Sequence, residues 1–255
     1  MTIVRWNIVD LIEDNGMRQM AIDLALRDRL LAGNIFPTLR FYRWRPAAIS
    51  LGYHQRNHPS EWNDLIWQGE KIDIVKRPTG GRAVLHQGDL TYAIVLNNLQ
   101  GKRTDIYRYI SQFLIDGWQD LGFSLSYGDR RGEYIQKTNC FDLATSADLV
   151  LSDGYKLIGS AQSIVDGVVL QHGSIRLFPD AELSARVFGT PIAPPASLQT
   201  IAIEDVISAL TRAAARHFQV EFQTIKVDLY SLDRTITLTP NPSPKEGEGS
   251  RKYRK

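Results

Sequence analysis

Among side chains able to form or break covalent bonds, one position stands alone: Cys140 is the only cysteine in the 255 residues. It lies in Thr138-Asn139-Cys140-Phe141-Asp142, at the end of a polar, glycine-containing stretch. Two readings are open for it. A lone cysteine is commonly a small buried apolar side chain. Loop ends, however, carry reactive groups more readily than strand centres do. A nucleophilic cysteine works as its thiolate and needs a cation or a base beside it. Lys156 is the candidate partner, at the head of Lys156-Leu157-Ile158-Gly159-Ser160-Ala161-Gln162. A lysine closing a hairpin ordinarily faces water. Here the small side chains of Gly159, Ser160 and Ala161 leave room for a ligand along the backbone that follows it.

A second constellation is Arg77-Pro78-Thr79-Gly80-Gly81-Arg82-Ala83-Val84-Leu85-His86. Gly80 and Gly81 permit positive φ and close approach of backbone to a ligand. Successive N–H groups in such a turn form an anion-binding concavity, with Arg77 and Arg82 as cationic forks beside it. The same pair also suits a plain hairpin turn between extended runs at 72–75 and 91–96. His86 and His172 fall at the ends of different strands, the latter in Gln171-His172-Gly173-Ser174 among small residues. Singly, each histidine reads as structural. His54 and His58 are four apart, but Asn57-His58-Pro59 is not helical, and no second cysteine or carboxylate cluster accompanies them, so no metal site is expected. The glycine pair lacks the spacing of a phosphate loop ending in Lys-Ser/Thr, and no strand–GxGxxG–helix unit occurs. Classical nucleotide-binding folds are therefore excluded.

The elements that must position these residues follow from periodicity. A helix is predicted over 15–31, with Met17, Met20, Ala21, Leu24, Leu30 and Leu31 on its apolar stripe and Gly33-Asn34 as its stop. Extended segments at 38–44 and 47–52 flank Arg45-Pro46. A second helix is predicted over 105–121, with Thr104 as N-cap, Gly122 closing it, and Ile106, Tyr109, Ile110, Phe113, Leu114 and Trp118 inward. Residues 127–139 read as an exposed loop. A hairpin follows, 147–151 and 155–159 around Asp153-Gly154, a strong two-residue turn signal. A strand at 167–175 and helices at 181–187 and 203–217 complete the body. Hairpins outnumber strand–helix–strand units, so the fold class is α+β: a mixed, largely antiparallel sheet flanked by helices. One domain is expected over 1–238, and the Pro- and Gly-rich stretch 239–255 reads as a disordered basic tail.

Charge narrows the classes of partner. The tail holds five basic and two acidic residues, leaving −1 on the rest of a chain whose net charge is +2. A near-neutral body without a basic stripe argues against nucleic acid. No apolar run is long enough for a membrane span, and the N-terminus lacks a secretory pattern. With one cysteine, no intramolecular disulfide can form, and the reading is a soluble cytoplasmic protein.

Five segments, taken in order, resemble the biotin/lipoate protein ligase superfamily: Pro37-Thr38-Leu39-Arg40-Phe41-Tyr42-Arg43-Trp44, Ser50-Leu51-Gly52-Tyr53, 77–86 with Gly88-Asp89-Leu90-Thr91-Tyr92, 156–162, and Gly167-Val168-Val169-Leu170-Gln171-His172-Gly173-Ser174-Ile175. Within it, Arg-x-Thr-Gly-Gly-Arg-Ala-Val-x-His, Cys-Phe-Asp and Lys-x-x-Gly-Ser-Ala-Gln are similar to the cysteine-dependent octanoyltransferases related to lipoate ligase A. The family's Cys-Phe-Asp is usually followed by Ala-Pro-Ser, where this chain has Leu143-Ala144-Thr145. Arg82 stands where ATP-using ligases carry a third glycine. The resemblance implies that Cys140 and Lys156 are catalytic. It implies an acyl tunnel walled by Arg77, Thr79, Gly80, Gly81, Arg82, Ala83, Val84 and His86, with Gly159, Ser160, Ala161, Gln162, His172, Gly173 and Ser174 opposite. The implied donor is an octanoyl acyl carrier protein. The acceptor would be a lysine of a lipoyl-accepting protein, an H protein or a dehydrogenase E2 subunit, with no cofactor. An ATP-dependent lipoate or octanoate ligase and a non-catalytic acyl-carrier-binding module are the alternatives.

Overall fold

The computed structural model describes residues 4–128 and 147–227. Its first half contains β1 (Val4–Asp14), α1 (Gly16–Leu31), β2 (Thr38–Trp44), β3 (Ala48–Leu51), the short pair β4 (Ile66–Trp67) and β5 (Glu70–Lys71), β6 (Asp73–Lys76), β7 (Val84–His86) and β8 (Asp89–Leu96). Then come α2 (Arg103–Asp120), β9 (Leu125–Tyr127), β10 (Asp148–Leu151), β11 (Lys156–Val165), β12 (Val168–Arg176), α3 (Ala181–Phe188), α4 (Ile203–Phe218) and β13 (Val220–Ile225). Eight strands form one sheet in the order β13-β1-β2-β8-β12-β11-β10-β9, and β6-β3-β7 form a second. In the large sheet β1 runs parallel to β13 and β2, and the remaining pairs are antiparallel. This is the mixed, largely antiparallel α+β architecture expected.

Strand alternation sends successive side chains to opposite faces, and both faces are covered. Leu39 and Phe41 of β2, Leu90, Tyr92, Ile94 and Leu96 of β8, and Val169 and Ile175 of β12 share a core with Phe113, Leu114 and Trp118 of α2 and Val206 and Leu210 of α4. The intervening Tyr42, Trp44, Ala93, Val95 and Leu170 face the other way, against Met20, Ile22, Leu26 and Leu30 of α1. The small sheet has its own core of Ile49, Leu51, Ile72 and Ala83 with Trp62, Leu183 and Val187. It is tied to α1 through the Gly16 N–H, which donates to Asp73 Oδ2 at 2.9 Å.

Four expectations are corrected. First, the buried face of α1 is rotated: Met17 and Leu31 are exposed, while Gln19 and Asp23 are buried beside Met20 and Leu26. Hydrophobicity alone misses this because the sheet presents polar partners there. Gln19 Nε2 donates to the carbonyls of Ile12 and Arg43, across the register irregularity between Val9 and Ile12. Second, α2 starts two residues early, with Lys102 flanking it and Thr104 inside, and Tyr109 is exposed. Third, the glycine pair does not join 72–75 to 91–96 as a hairpin. The strand following it is β7, and β3 lies between β6 and β7. Fourth, Tyr127 belongs to β9 rather than to a loop. β1 and β13, which pair in parallel, are strands that the sequence reading above does not anticipate. Residues 129–146, including Cys140, and the tail 239–255 lie outside the described residues.

Candidate active site

The glycine turn is braced from inside. Arg77 is buried, and its guanidinium is spent on the turn's backbone and on Ser50, whose Oγ accepts from Nη1 at 3.2 Å. Nη1 donates to Ser50 O at 2.7 Å, Nη2 to Gly80 O at 2.8 Å and Arg82 O at 2.7 Å, and Nε to Gly80 O at 3.2 Å. Burial lowers Arg77 to about 10, which still leaves it cationic at neutral pH. Its fork therefore organises the turn's carbonyls. Gly81 has φ +95°, and a Cβ at Gly52 would lie 1.9 Å from Gly81 O, so the turn and the residue that follows β3 touch through bare backbone. Nothing lies within 4 Å of a Cβ position on Gly80, which faces open space. Arg82 is exposed, Ala83 is buried in the small-sheet core, and Val84 pairs with Ser50.

Two buried relays of hydroxyl, imidazole and carboxylate fasten this segment to the large sheet. In the first, Thr79 Oγ1 lies 2.6 Å from His172 Nε2, and His172 Nδ1 lies 2.8 Å from Asp23 Oδ2. Asp23 also accepts from Arg40 Nε at 2.8 Å and Tyr42 OH at 3.1 Å. Burial raises the Asp23 pKa, but the Arg40 charge and the His172 and Tyr42 contacts outweigh it and hold the carboxyl below its usual range. An ionised Asp23 accepts a hydrogen bond from His172 Nδ1–H, the tautomer in which Nε2 accepts from the Thr79 hydroxyl. In the second relay, Ser50 Oγ lies 2.9 Å from His86 Nε2, and His86 Nδ1 lies 2.9 Å from Asp89 Oδ2. Asp89 further accepts from Ser174 Oγ at 2.7 Å and Thr91 Oγ1 at 3.1 Å. Trp44 donates to Thr91 Oγ1 at 2.7 Å and stacks on His86 at 4.0 Å. His86, His172, Thr79 and Ser174, separated widely in sequence, thus share one neighbourhood.

The small-residue run divides between faces. Gly159 pairs with Ser174 and Ala161 with His172, so both side-chain positions lie on the face of the relays. Ser160 and Gln162 point to the α2 side. There Tyr92 OH donates to Ser160 Oγ at 2.9 Å, and Gln162 Nε2 donates to Gln171 Oε1 at 3.1 Å. Burial pushes Tyr92 up to about 12, so it remains a donor. Gly173 sits opposite Ser160. Lys156 Nζ approaches Asp148 Oδ2 at 2.9 Å beside Gly159.

Sequence reasoning singled out the histidines and missed Asp23, Ser50 and Asp148 as their supports and that of Lys156. For Asp23 a signal existed, a carboxylate on a face of α1 that otherwise carries Met20, Leu26 and Leu30. Ser50 and Asp148 gave none, since their importance comes from register.

Comparison with known proteins adds chemistry to this geometry. A family model described as the lipoyl protein ligase A/B catalytic domain matches residues 15–224. An octanoyltransferase LipM of Symbiobacterium thermophilum is 40% identical over 199 residues, covering 75% of this chain and 72% of that protein. Another, of Staphylococcus aureus, is 38% identical over 181 residues, covering 67% and 65%. Among solved structures, a lipoate-protein ligase A bound with ATP superposes with a TM-score of 0.73 at 22% identity, covering 91% of this chain and 94% of that one. A bipartite lipoate protein ligase from Thermoplasma acidophilum gives 0.68 at 20% identity, covering 91% and 92%. The structural likenesses establish a shared fold. Among the described residues, no helix is long and apolar enough to cross a membrane.

Proposed function

Because the chain belongs to the lipoyl protein ligase A/B catalytic-domain family, we propose that it is an octanoyltransferase of protein lipoylation that works through a Cys140 thioester. The Cys140 thiolate attacks the carbonyl of an octanoyl thioester on an acyl carrier protein. A new C–S bond forms, the carrier's C–S bond breaks, and the departing pantetheine thiolate takes a proton from the Lys156 ammonium. The neutral ε-amine of a lysine on a lipoyl-accepting domain then attacks the acyl-Cys140. An amide forms, the Cys140 thiolate leaves, and the amine's proton returns to Lys156. Thioester to amide is downhill, so the sequence consumes no ATP. A reducing cytoplasm keeps the thiol available.

The observation that carries this reading is the setting of Lys156. It opens β11, the strand whose half-buried Gly159 and Ala161 pair with Ser174 and His172. The Gly128 N–H donates to Asp148 O at 2.9 Å, and Asp148 is the ion-pair partner of Lys156. An adjacent ammonium favours a thiolate. The relatives named octanoyltransferases support acyl transfer over adenylation. Octanoyl burial against the glycine turn would contribute roughly 0.8 kcal/mol per methylene, enough to discriminate chain length. The test is octanoyl transfer from carrier protein to a lipoyl domain without ATP, using Cys140→Ala. Loss of transfer is expected; wild-type transfer overturns the nucleophile assignment. Activity that requires ATP and free octanoate, with pyrophosphate released, would establish a ligase instead.

A further inference from the structure

We propose that Asp148 is the positioning residue for Lys156, and that Gly159 leaves room for the lysine stem to fold back towards it. This rests on the Lys156 role proposed above. In a regular strand, residues 156 and 159 would point to opposite faces, being an odd number apart. The β10–β11 ladder does not stay regular. Asp148 pairs with Gly159 and Leu149 with Ile158, but Val150 pairs with Lys156, so the register shifts between Leu149 and Val150. Irregularities of this kind re-aim a side chain. Here the shift turns the lysine stem back over Gly159. A Cβ at that glycine would lie 3.2 Å from Lys156 Cε, 3.6 Å from its Nζ and 3.4 Å from Asp148 Oδ1. A Cβ at 159 would make the lysine stem give by a few tenths of an ångström, while its contacts with Nζ and Asp148 Oδ1 would be ordinary.

Asp148 is the rigid member of the pair. Its side chain is 7% exposed against 25% for Lys156. Its carbonyl is held by the Gly128 N–H, and the preceding carbonyl, Ala147 O, accepts from the Tyr107 hydroxyl. Burial pushes Tyr107 up, so that phenol stays protonated and keeps donating. Lysine carries its charge on a flexible four-carbon stem and is not pre-organised by itself. A fixed carboxylate at 2.9 Å supplies the orientation, holding Nζ on the face shared by Gly159, Ser174 and His172. In this reading Asp148 acts through Lys156.

One property of the chain makes the test clean: with a single cysteine, iodoacetamide alkylation reports on Cys140 alone. The full-length protein is compared with Lys156→Ala, Asp148→Asn and the double variant, each checked for folding by circular dichroism. Alkylation rate and the kcat and KM for octanoyl transfer are measured. Lys156→Ala is expected to slow both rates by about tenfold or more, because a thiolate loses its cation. Asp148→Asn is expected to lower kcat by about tenfold with KM within about twofold. The double variant should be no slower than Lys156→Ala, and Asp148→Glu should recover part of the loss. Additive losses in the double variant, or wild-type rates in Asp148→Asn, overturn the proposal. Should Asp148→Asn not fold, Gly159→Ala replaces it, and the same non-additivity with Lys156→Ala is required. Unchanged rates in Lys156→Ala itself would sink the functional reading beneath this one, an outcome distinct from additivity.

Discussion

The contact between Gly52 and Gly81 sets the size of one perturbation. A Cβ on Gly52 would sit 1.9 Å from Gly81 O, where a relaxed C···O contact is about 3.3 Å. Alanine at 52 therefore demands about 1.4 Å of separation. Gly52 does not lie in the positive-φ region, so the effect is steric, without backbone strain at the substituted residue. β3 is central in its sheet, and the turn is stapled to it by Arg77 and by the Tyr53 N–H, which donates to Thr79 O at 2.8 Å. The turn is thus the part that must move. Overpacking of this kind costs about 1–3 kcal/mol, which for a domain of this size lowers Tm by roughly 2–4 °C per kcal/mol. Displacing a site wall by about 1 Å can cost on the order of a hundredfold in rate. Gly52→Ala should therefore lose far more octanoyl transfer at 25 °C, where it remains folded, than its Tm implies. Gly80→Ala is the matched control: its Cβ meets nothing within 4 Å, so its Tm should stay at the wild-type value. Wild-type kcat/KM and Tm in Gly52→Ala would refute the close approach and the turn's role as a wall.

Two further predictions concern the relays. Thr79→Val keeps the shape but leaves His172 Nε2 buried without its 2.6 Å partner; it should cost about 1–3 kcal/mol in urea unfolding, and an unchanged midpoint would mean that Thr79 does not clamp the turn. Asp23, held below its ordinary value in the folded state, contributes stability that is fully present above the unfolded pKa of 3.8 and is lost as pH falls through the lower folded value. Urea midpoints from pH 6 to pH 3 should accordingly fall more steeply for wild type than for Asp23→Asn, and parallel curves would contradict the ionised assignment.

Much of this architecture was legible because local signals agreed with tertiary demand. The segment 38–44 coincides with β2, the Asp153-Gly154 turn does join two strands, and both C-terminal helices lie within a residue or so of their predicted limits. The buried face of α1 was misread because polar contacts outweighed hydrophobicity there. Met17 faces water because Gln19 and Asp23 claim the inward positions of α1, satisfied by Arg40, Tyr42 and His172. The glycine pair marked a special backbone correctly. Its meaning, a turn pressed against β3 rather than a hairpin, depends on Gly52, which no local pattern connects to Gly81. Arg77 looked like a ligand fork and instead binds the turn's own carbonyls, a distinction sequence spacing does not carry. The direction of Lys156 follows from a register shift and from Asp148, both set by long-range pairing.

The central claim is a covalent octanoyl intermediate on Cys140, and intact-mass spectrometry addresses it most directly. The full-length protein is mixed with octanoyl acyl carrier protein in the absence of ATP and quenched in acid before acceptor is added. The account predicts a mass increase of one octanoyl group, located on Cys140, absent from Cys140→Ala and discharged when a lipoyl domain is supplied. No adduct on the wild-type protein under conditions where the lipoyl domain still becomes octanoylated would contradict it.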